Sequence, residues 1–235
     1  MLRRFEIYSV PSGRTSDGVR ALARACRRCG QHIPEVTHSR VGWNLSDAPV
    51  QLVWEHAFAS PEAYQRYMVH PYHAAVLDRY LLHDSPERVV TDNVLGAGLV
   101  GYTHPDAAFA MTGGIRRLVL LRVDRQAASS DIDRMEEVLG QASTAIDEMT
   151  VSVVGANTLG PAWFDGVTPF TGRPRWTHLW EQGFVDTDGL DAYRHGPSEL
   201  ATAERGWDRF LNGVIHDAVS LHYEIETEES QVLQE

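Results

Sequence analysis

The chain contains no lysine; all 21 of its basic residues are arginine. That absence removes Schiff-base chemistry, a Walker-type phosphate loop and a lysine general base together. Cysteine is nearly absent too, with two residues in 235. So sparse a supply excludes a disulfide framework and fits a reducing compartment. No run approaches the roughly 18 consecutive apolar residues of a membrane span, and Met1 to Phe5 lack the apolar stretch of a secretory signal. The expected location is therefore the cytoplasm, with no membrane partner. Cations are outnumbered by 32 acidic residues, for a net charge of −11. This disfavours nucleic acid as a partner, because phosphate contacts need clustered cations. What is present, 43% hydrophobic and 23% charged residues, is the composition of a globular protein able to bury a real core.

The sequence echoes itself. Arg4-Phe5-Glu6-Ile7-Tyr8-Ser9-Val10 resembles Arg117-Leu118-Val119-Leu120-Leu121-Arg122-Val123, and Glu35 to Gly42 resembles Glu148 to Gly155, both at an offset of 113. Trp54-Glu55-His56-Ala57-Phe58 then resembles Trp180-Glu181-Gln182-Gly183-Phe184, with Tyr67 matching Tyr193 and Pro71 matching Pro197, at an offset of 126. One insertion in the second copy, between Asn157 and Arg175, accounts for the change. Ordered matches broken by a single indel indicate tandem duplication.

Each copy reads as β-α-β-β-α-β, the split unit of ferredoxin-like folds. Residues 4–10, 36–43, 51–58 and 88–94 are strand-like. Val19, Leu22, Cys26, Cys29 and Ile33 step by 3 and 4 along one helix face. Ser60 and Pro61 are a helix N-cap and first-turn pair, opening a helix interrupted near Pro71. In the second copy, strands are expected at 115–124, 149–157, 176–184 and 215–226. Its first helix carries Ile132, Met135, Leu139, Ala142, Ile146 and Met149, and its second is broken at Gly196-Pro197 before resuming through Leu200, Ala203, Trp207 and Phe210. The expected organisation is a first domain at 1–95, a linker at 96–114, a diverged second domain at 115–226 and a disordered tail at 227–235. The fold class is α+β: two ferredoxin-like repeats whose bare sheet faces pack together as an intramolecular pseudo-dimer, with further homodimerisation open.

His32-Ile33-Pro34-Glu35-Val36, the strand Leu52-Val53-Trp54-Glu55-His56-Ala57-Phe58 and the run Ala63-Tyr64-Gln65-Arg66-Tyr67-Met68-Val69-His70-Pro71-Tyr72-His73 resemble the stress-responsive dimeric α/β-barrel (Dabb) family. The likeness covers residues 3–95 well and 115–226 in outline. The Tyr-x-x-His-Pro-x-His pattern is complete in the first copy; in the second, Gly196 and Glu199 stand where His70 and His73 do. The resemblance extends to cyclase members of the plant olivetolic acid cyclase type, which close a polyketide by aldol condensation without a cofactor. It implies Tyr67 and His73 as the catalytic pair. It places a pocket histidine of the cyclase on the third strand, where this chain has Leu52 in the first copy and His178 in the second. A further histidine on the cyclase's first strand has no counterpart, because Arg4 and Phe5 occupy that region.

The chemistry agrees with the resemblance. Proton abstraction beside a carbonyl needs a base and a donor for the enolate oxygen; histidine and a tyrosine hydroxyl supply both. His73 and Tyr67 are thus candidate catalytic residues. Trp54, Tyr64 and His70 are candidate substrate contacts, joined by His178, Tyr193 and Glu199 if the second copy also works. Three readings of the His70-Pro71-Tyr72-His73 break stay open: catalysis, a turn that only caps the helix, and metal ligation by the two histidines. No cofactor is expected. The leading expectation is a cofactor-independent cyclase- or lyase-type enzyme acting on a polyketide-like or aromatic carbonyl compound. The alternatives are a non-catalytic small-molecule-binding or assembly protein and a cofactor-free barrel monooxygenase.

Other signals are weaker. Gly96 to Gly101 spells G-x-G-x-x-G without the following helix that a dinucleotide site requires. Cys26 and Cys29 lie on an apolar stripe, as buried small residues do. Glu55 and Glu181 occupy matching strand positions and call for arginine partners, with Arg116, Arg117 and Arg122 as the candidates. The aromatic insertion at 158–174 suggests a lid or a packing segment, with a patch for a second subunit as the alternative.

Overall fold

A computed structural model describes residues 1–48, 50–91, 100–103, 113–157, 176–204 and 213–225, with backbone alone at 100–103. The chain divides into two compact units. In the first, the elements run β1 (Leu2–Tyr8), α1 (Asp17–Arg27), α2 (Cys29–His32), β2 (Val36–Trp43), β3 (Leu52–Phe58), α3 (Pro61–Met68), a widened helical turn (His73–Leu77), α4 (Asp78–Leu81) and β4 (Val100–Thr103). The second runs β5 (Ile115–Val123), α5 (Ser129–Gly140), α6 (Ala142–Ala145), β6 (Met149–Ala156), β7 (His178–Phe184), α7 (Thr187–His195), α8 (Glu199–Ala203) and β8 (Ile215–Glu224).

Both sheets are four-stranded, in the orders β2-β3-β1-β4 and β6-β7-β5-β8, and every neighbouring pair is antiparallel. The chain therefore holds two ferredoxin-like repeats. The likeness reaches fine detail. A register shift lies between Val36 and His38 in β2 and between Met149 and Val151 in β6, positions 113 apart. Trp54 Nε1 donates to Ser39 Oγ at 2.8 Å, and that hydroxyl donates to the Cys26 carbonyl. Trp180 Nε1 donates to Ser152 Oγ at 2.8 Å, and that hydroxyl donates to the Leu139 carbonyl. Each tryptophan thereby ties its central strand to the edge strand and to the first helix, with its N–H satisfied in the core.

The apolar stripe of α1 and α2 packs where its spacing predicts. Val19, Leu22, Cys26, Cys29 and Ile33 are all buried in one cluster with Trp54, Phe58, Tyr64 and Tyr67. Met135, Leu139, Ala142 and Ile146 do the same beneath Trp180 and Phe184. Burial raises both thiols, Cys29 to about 12, so neither is a ready nucleophile. Glu55 pairs with Arg3 and Glu181 with Arg116, all four side chains buried; the partners are thus the preceding arginines of β1 and β5, one of which, Arg3, the sequence reading did not name. Ser60 caps α3 by accepting from Ala63 N, with Pro61 in the first turn.

One expected strand is misplaced. The fourth strand of the first unit is Val100–Thr103, not 88–94. Val89 N donates to the Tyr80 carbonyl and Thr91 N to the Ser9 carbonyl, and residues 88–91 form no strand. Part of the expected linker is therefore sheet, and Gly101 of the glycine motif sits within β4, paired with Arg4. Residues 92–99, the 158–174 insertion, Trp207, Phe210 and the 227–235 tail lie outside the described residues.

Candidate active site

Successive strand residues alternate between the two faces of a sheet. On β1, Leu2, Arg4, Glu6 and Tyr8 share the face that meets the helices. On β3, Leu52, Trp54, His56 and Phe58 do so. The register sets Arg4 opposite His56 and Glu6 opposite Trp54. Two charged residues and a histidine thus occupy core-facing positions in the middle of the sheet, where apolar side chains would stabilise more.

The helices close over them with Tyr64, Tyr67, His73 and Asp78. Helix α3 ends at Met68, and Tyr72 N donates to His70 Nδ1 at 3.1 Å, so His70 serves the break itself and is half-buried. Beyond Pro71 the chain resumes with Asp78 N donating to the His73 carbonyl, five residues back. Residues five apart diverge by about 140° in a regular α-helix; the widened turn reduces that divergence, and His73 Nδ1 lies 3.6 Å from Asp78 Oδ2. The break also folds the His73 ring edge-on against Tyr67, with centroids 4.5 Å apart. The expected catalytic pair is thus brought together, and both residues are buried.

The polar atoms here are poorly satisfied. Tyr67 Oη, His73 Nδ1, both His56 nitrogens and Arg4 Nε have no hydrogen-bond partner among the described residues. Arg4 Nη2 lies 2.9 Å from Glu6 Oε1, and the same oxygen stands 3.6 Å from His56 Nε2. The other Arg4 terminal nitrogen reaches only the Met68 thioether, at 3.6 Å, while the guanidinium lies 4.9 Å from the Tyr64 ring centre. Tyr67 stands between two histidines, His56 at 5.7 Å and His73 at 4.5 Å between ring centres. Trp54 packs at 4.1 Å from His56 and 6.5 Å from Tyr67.

Burial governs the titration of the group. It pushes Glu6 up to about 7 against the pull of Arg4, and Asp78 up to about 6, again against Arg4. It lowers His73 to about 3, helped by Arg4 and His70. It lowers His56 far below its ordinary value, helped by Arg4 and His73. Tyr67 is raised by burial and by Glu6. At neutral pH the site holds two neutral imidazoles, a neutral phenol and two carboxyls near their titration points. Such perturbation in a buried polar cluster marks functional sites.

The second unit fills the corresponding positions and satisfies them. Arg117 matches Arg4, Gln182 matches His56, Tyr193 matches Tyr67, and Glu204 matches Asp78. Arg117 donates to Gln182 Oε1 at 2.7 Å and grips both oxygens of Glu204, at 2.9 and 2.6 Å. Tyr193 Oη donates to the same carboxylate. Glu199, expected as a site residue where His73 stands in the first copy, is exposed in the first turn of α8; Glu204 is the carboxylate that meets Tyr193. His178 contacts Glu136 at 3.4 Å and Thr177 Oγ1 at 3.0 Å. Four residues along β7 separate it from Gln182, about 13 Å, so His178 does not join the Tyr193 cluster.

Residues 2–95 match the sequence profile of the stress responsive A/B barrel domain. The first repeat is thus similar to that domain. The whole chain shares its fold with an anthrone oxidase-like protein, at 13% identity over 96% of this chain and 91% of the other, TM-score 0.62. It likewise shares its fold with a mutant chlorite dismutase from Candidatus Nitrospira defluvii, at 9% identity over 100% of this chain and 95% of the other, TM-score 0.55. A hydroxynitrile lyase from Passiflora edulis aligns with 48% of this chain and 93% of its own, at 23% identity and TM-score 0.37. No curated protein matches the sequence. These identities show the fold alone, so the chemistry of the first unit must be argued from its own residues. Arg4, Glu6, His56 and Asp78 were not expected as site residues; the signal for the first three was their place on the core-facing phase of β1 and β3. Among the described residues no three His, Cys, Asp or Glu side chains converge as metal ligands, and no helix is long and apolar enough to cross a membrane.

Proposed function

We propose that the first unit is a cofactor-independent enzyme that removes a proton beside the carbonyl of a small aromatic or polyketide-like compound, with lyase- or cyclase-type outcomes. His73 takes the proton and Tyr67 donates to the enolate oxygen. The observation that carries this reading is that two adjoining buried groups, the Tyr67 hydroxyl and His73 Nδ1, are left unsatisfied, whereas the matching tyrosine of the second unit is fully engaged. A motif kept only to turn the chain would gain stability by satisfying them.

His73 is a neutral imidazole, ready to accept but weakly basic. Ionised Asp78 beside it favours the imidazolium formed as the proton arrives and holds the ring in place. Trp54 and Tyr64 supply apolar walls. No redox or metal step enters.

The pH dependence follows. Asp78 assists only when ionised, and its carboxyl is held up to about 6 by burial. Exchange of α-protons for deuterium in acetophenone or benzoylacetone, followed by NMR, is therefore expected to rise as pH increases through about 6. Asp78→Asn should flatten the rise and lower the plateau about ten-fold. A wild-type rate that stays at the buffer background, or an unchanged profile in the variant, would overturn the assignment.

A further inference from the structure

The two units place an arginine and a tyrosine alike and differ in the carboxylate that meets them, and that difference identifies a ligand. In the second unit Arg117 and Tyr193 converge on a carboxylate, with both guanidinium nitrogens and the phenol bonded to Glu204. In the first unit Arg4 and Tyr67 occupy the matching positions, yet the carboxylate is withdrawn. Asp78 is one methylene shorter than Glu204, and the preceding turn differs. Residues 199–203 form regular helix, with Glu204 N donating to the Leu200 carbonyl, four residues back. Residues 73–77 form the widened turn instead, which directs Asp78 toward His73. Arg4 is left with Glu6 at one nitrogen, a thioether at another and nothing on Nε; Tyr67 Oη has no partner among the described residues.

We propose that the first unit binds small molecules through a carboxylate, seated on Arg4 and Tyr67 as the second unit seats its own Glu204. This deepens the reading above and rests on it: the substrate becomes a carbonyl compound that carries an acid group, with Tyr67 bonded to the acid or to the enolate oxygen next to it. Planar two-point recognition is what an arginine fork offers a carboxylate. Glu6, whose counterpart in the second unit is Val119, does not cancel the seat. Burial holds its carboxyl toward the neutral form, so Arg4 keeps charge for a ligand. The other ionisable or polar groups facing Arg4 are Tyr64 and Tyr67 of α3, Asp78 of α4 and His56 of β3.

Calorimetric titration of the full chain at pH 6 tests this, with benzoate as the probe and benzamide as its uncharged isostere. The expected result is one benzoate per chain, bound at least ten-fold more tightly than benzamide. Arg4→Met should lose at least ten-fold in benzoate affinity, while His73→Gln should keep it. Should Arg4→Met not fold, Tyr67→Phe is the second variant, expected to lose three-fold or more. Equal affinity for the two probes, no benzoate binding, or unchanged affinity in the variants overturns the carboxylate seat. The two readings fail separately. Ketone exchange that depends on His73, with no benzoate preference, sinks only this inference; benzoate preference with no exchange sinks only the proposed chemistry.

Discussion

Glu204→Ala should destabilise the second unit by about 3–5 kcal/mol. The side chains of Arg117 and Glu204 are 6% and 11% exposed, and their pairing is two-pronged. Removing the acid strands a buried guanidinium and leaves the Tyr193 hydroxyl without its acceptor, and breaking one side of a buried pair costs in that range. The matching change in the first unit, Asp78→Ala, should cost about 1 kcal/mol or less. Its carboxyl stands 3.6 Å from His73, and burial already pushes it up to about 6, so little charge pairing is lost. Urea denaturation of both variants, followed by circular dichroism, checks the contrast. Equal losses would mean that the two units use their polar clusters alike.

His73→Gln should carry the largest effect on activity. Removing a positioned general base typically costs 10²- to 10⁴-fold, and α-proton exchange should fall in that range. Stability should barely move. His73 Nδ1 forms no hydrogen bond among the described residues, and glutamine fills much of the space beside Tyr67. The paired readout matters: a drop in exchange together with a large fall in melting temperature would mark His73 as a packing residue. A variant that exchanges as fast as the parent would remove the catalytic role.

The duplication, the helix phases and the Ser60 cap were legible from spacing and residue type, because local periodicity dictates which face is buried. The strand expected at 88–94 was misread for a physical reason. Arg88-Val89-Val90-Thr91 alternates like a strand and is rich in β-branched residues, but periodicity cannot tell a paired segment from one that merely runs along the core and bonds to Tyr80 and Ser9. The Tyr67–His73 pairing came from the motif, not from geometry, since the widened turn that joins them leaves no mark in composition. Arg4, Glu6 and His56 were visible in principle. Each falls on the same phase as Leu2, Trp54 or Phe58, so each had to face the core. The Asp78–Glu204 correspondence was also present at the offset of 126 that matched Tyr67 with Tyr193; its meaning emerged only when one carboxylate was found engaged and the other turned aside.

The central claim is that the first unit keeps unsatisfied the polar groups that the second unit has tied down. Thermal denaturation of Tyr67→Phe and Tyr193→Phe tests it with no substrate required. Tyr193→Phe removes a hydrogen bond to a buried carboxylate and should cost about 1.5–3 kcal/mol. Tyr67→Phe removes a buried hydroxyl that has no partner among the described residues, and should melt at or above the parent temperature, because that hydroxyl's lost hydration is no longer a burden. The account predicts this opposite response; a Tyr67→Phe protein that loses as much stability as Tyr193→Phe would contradict it.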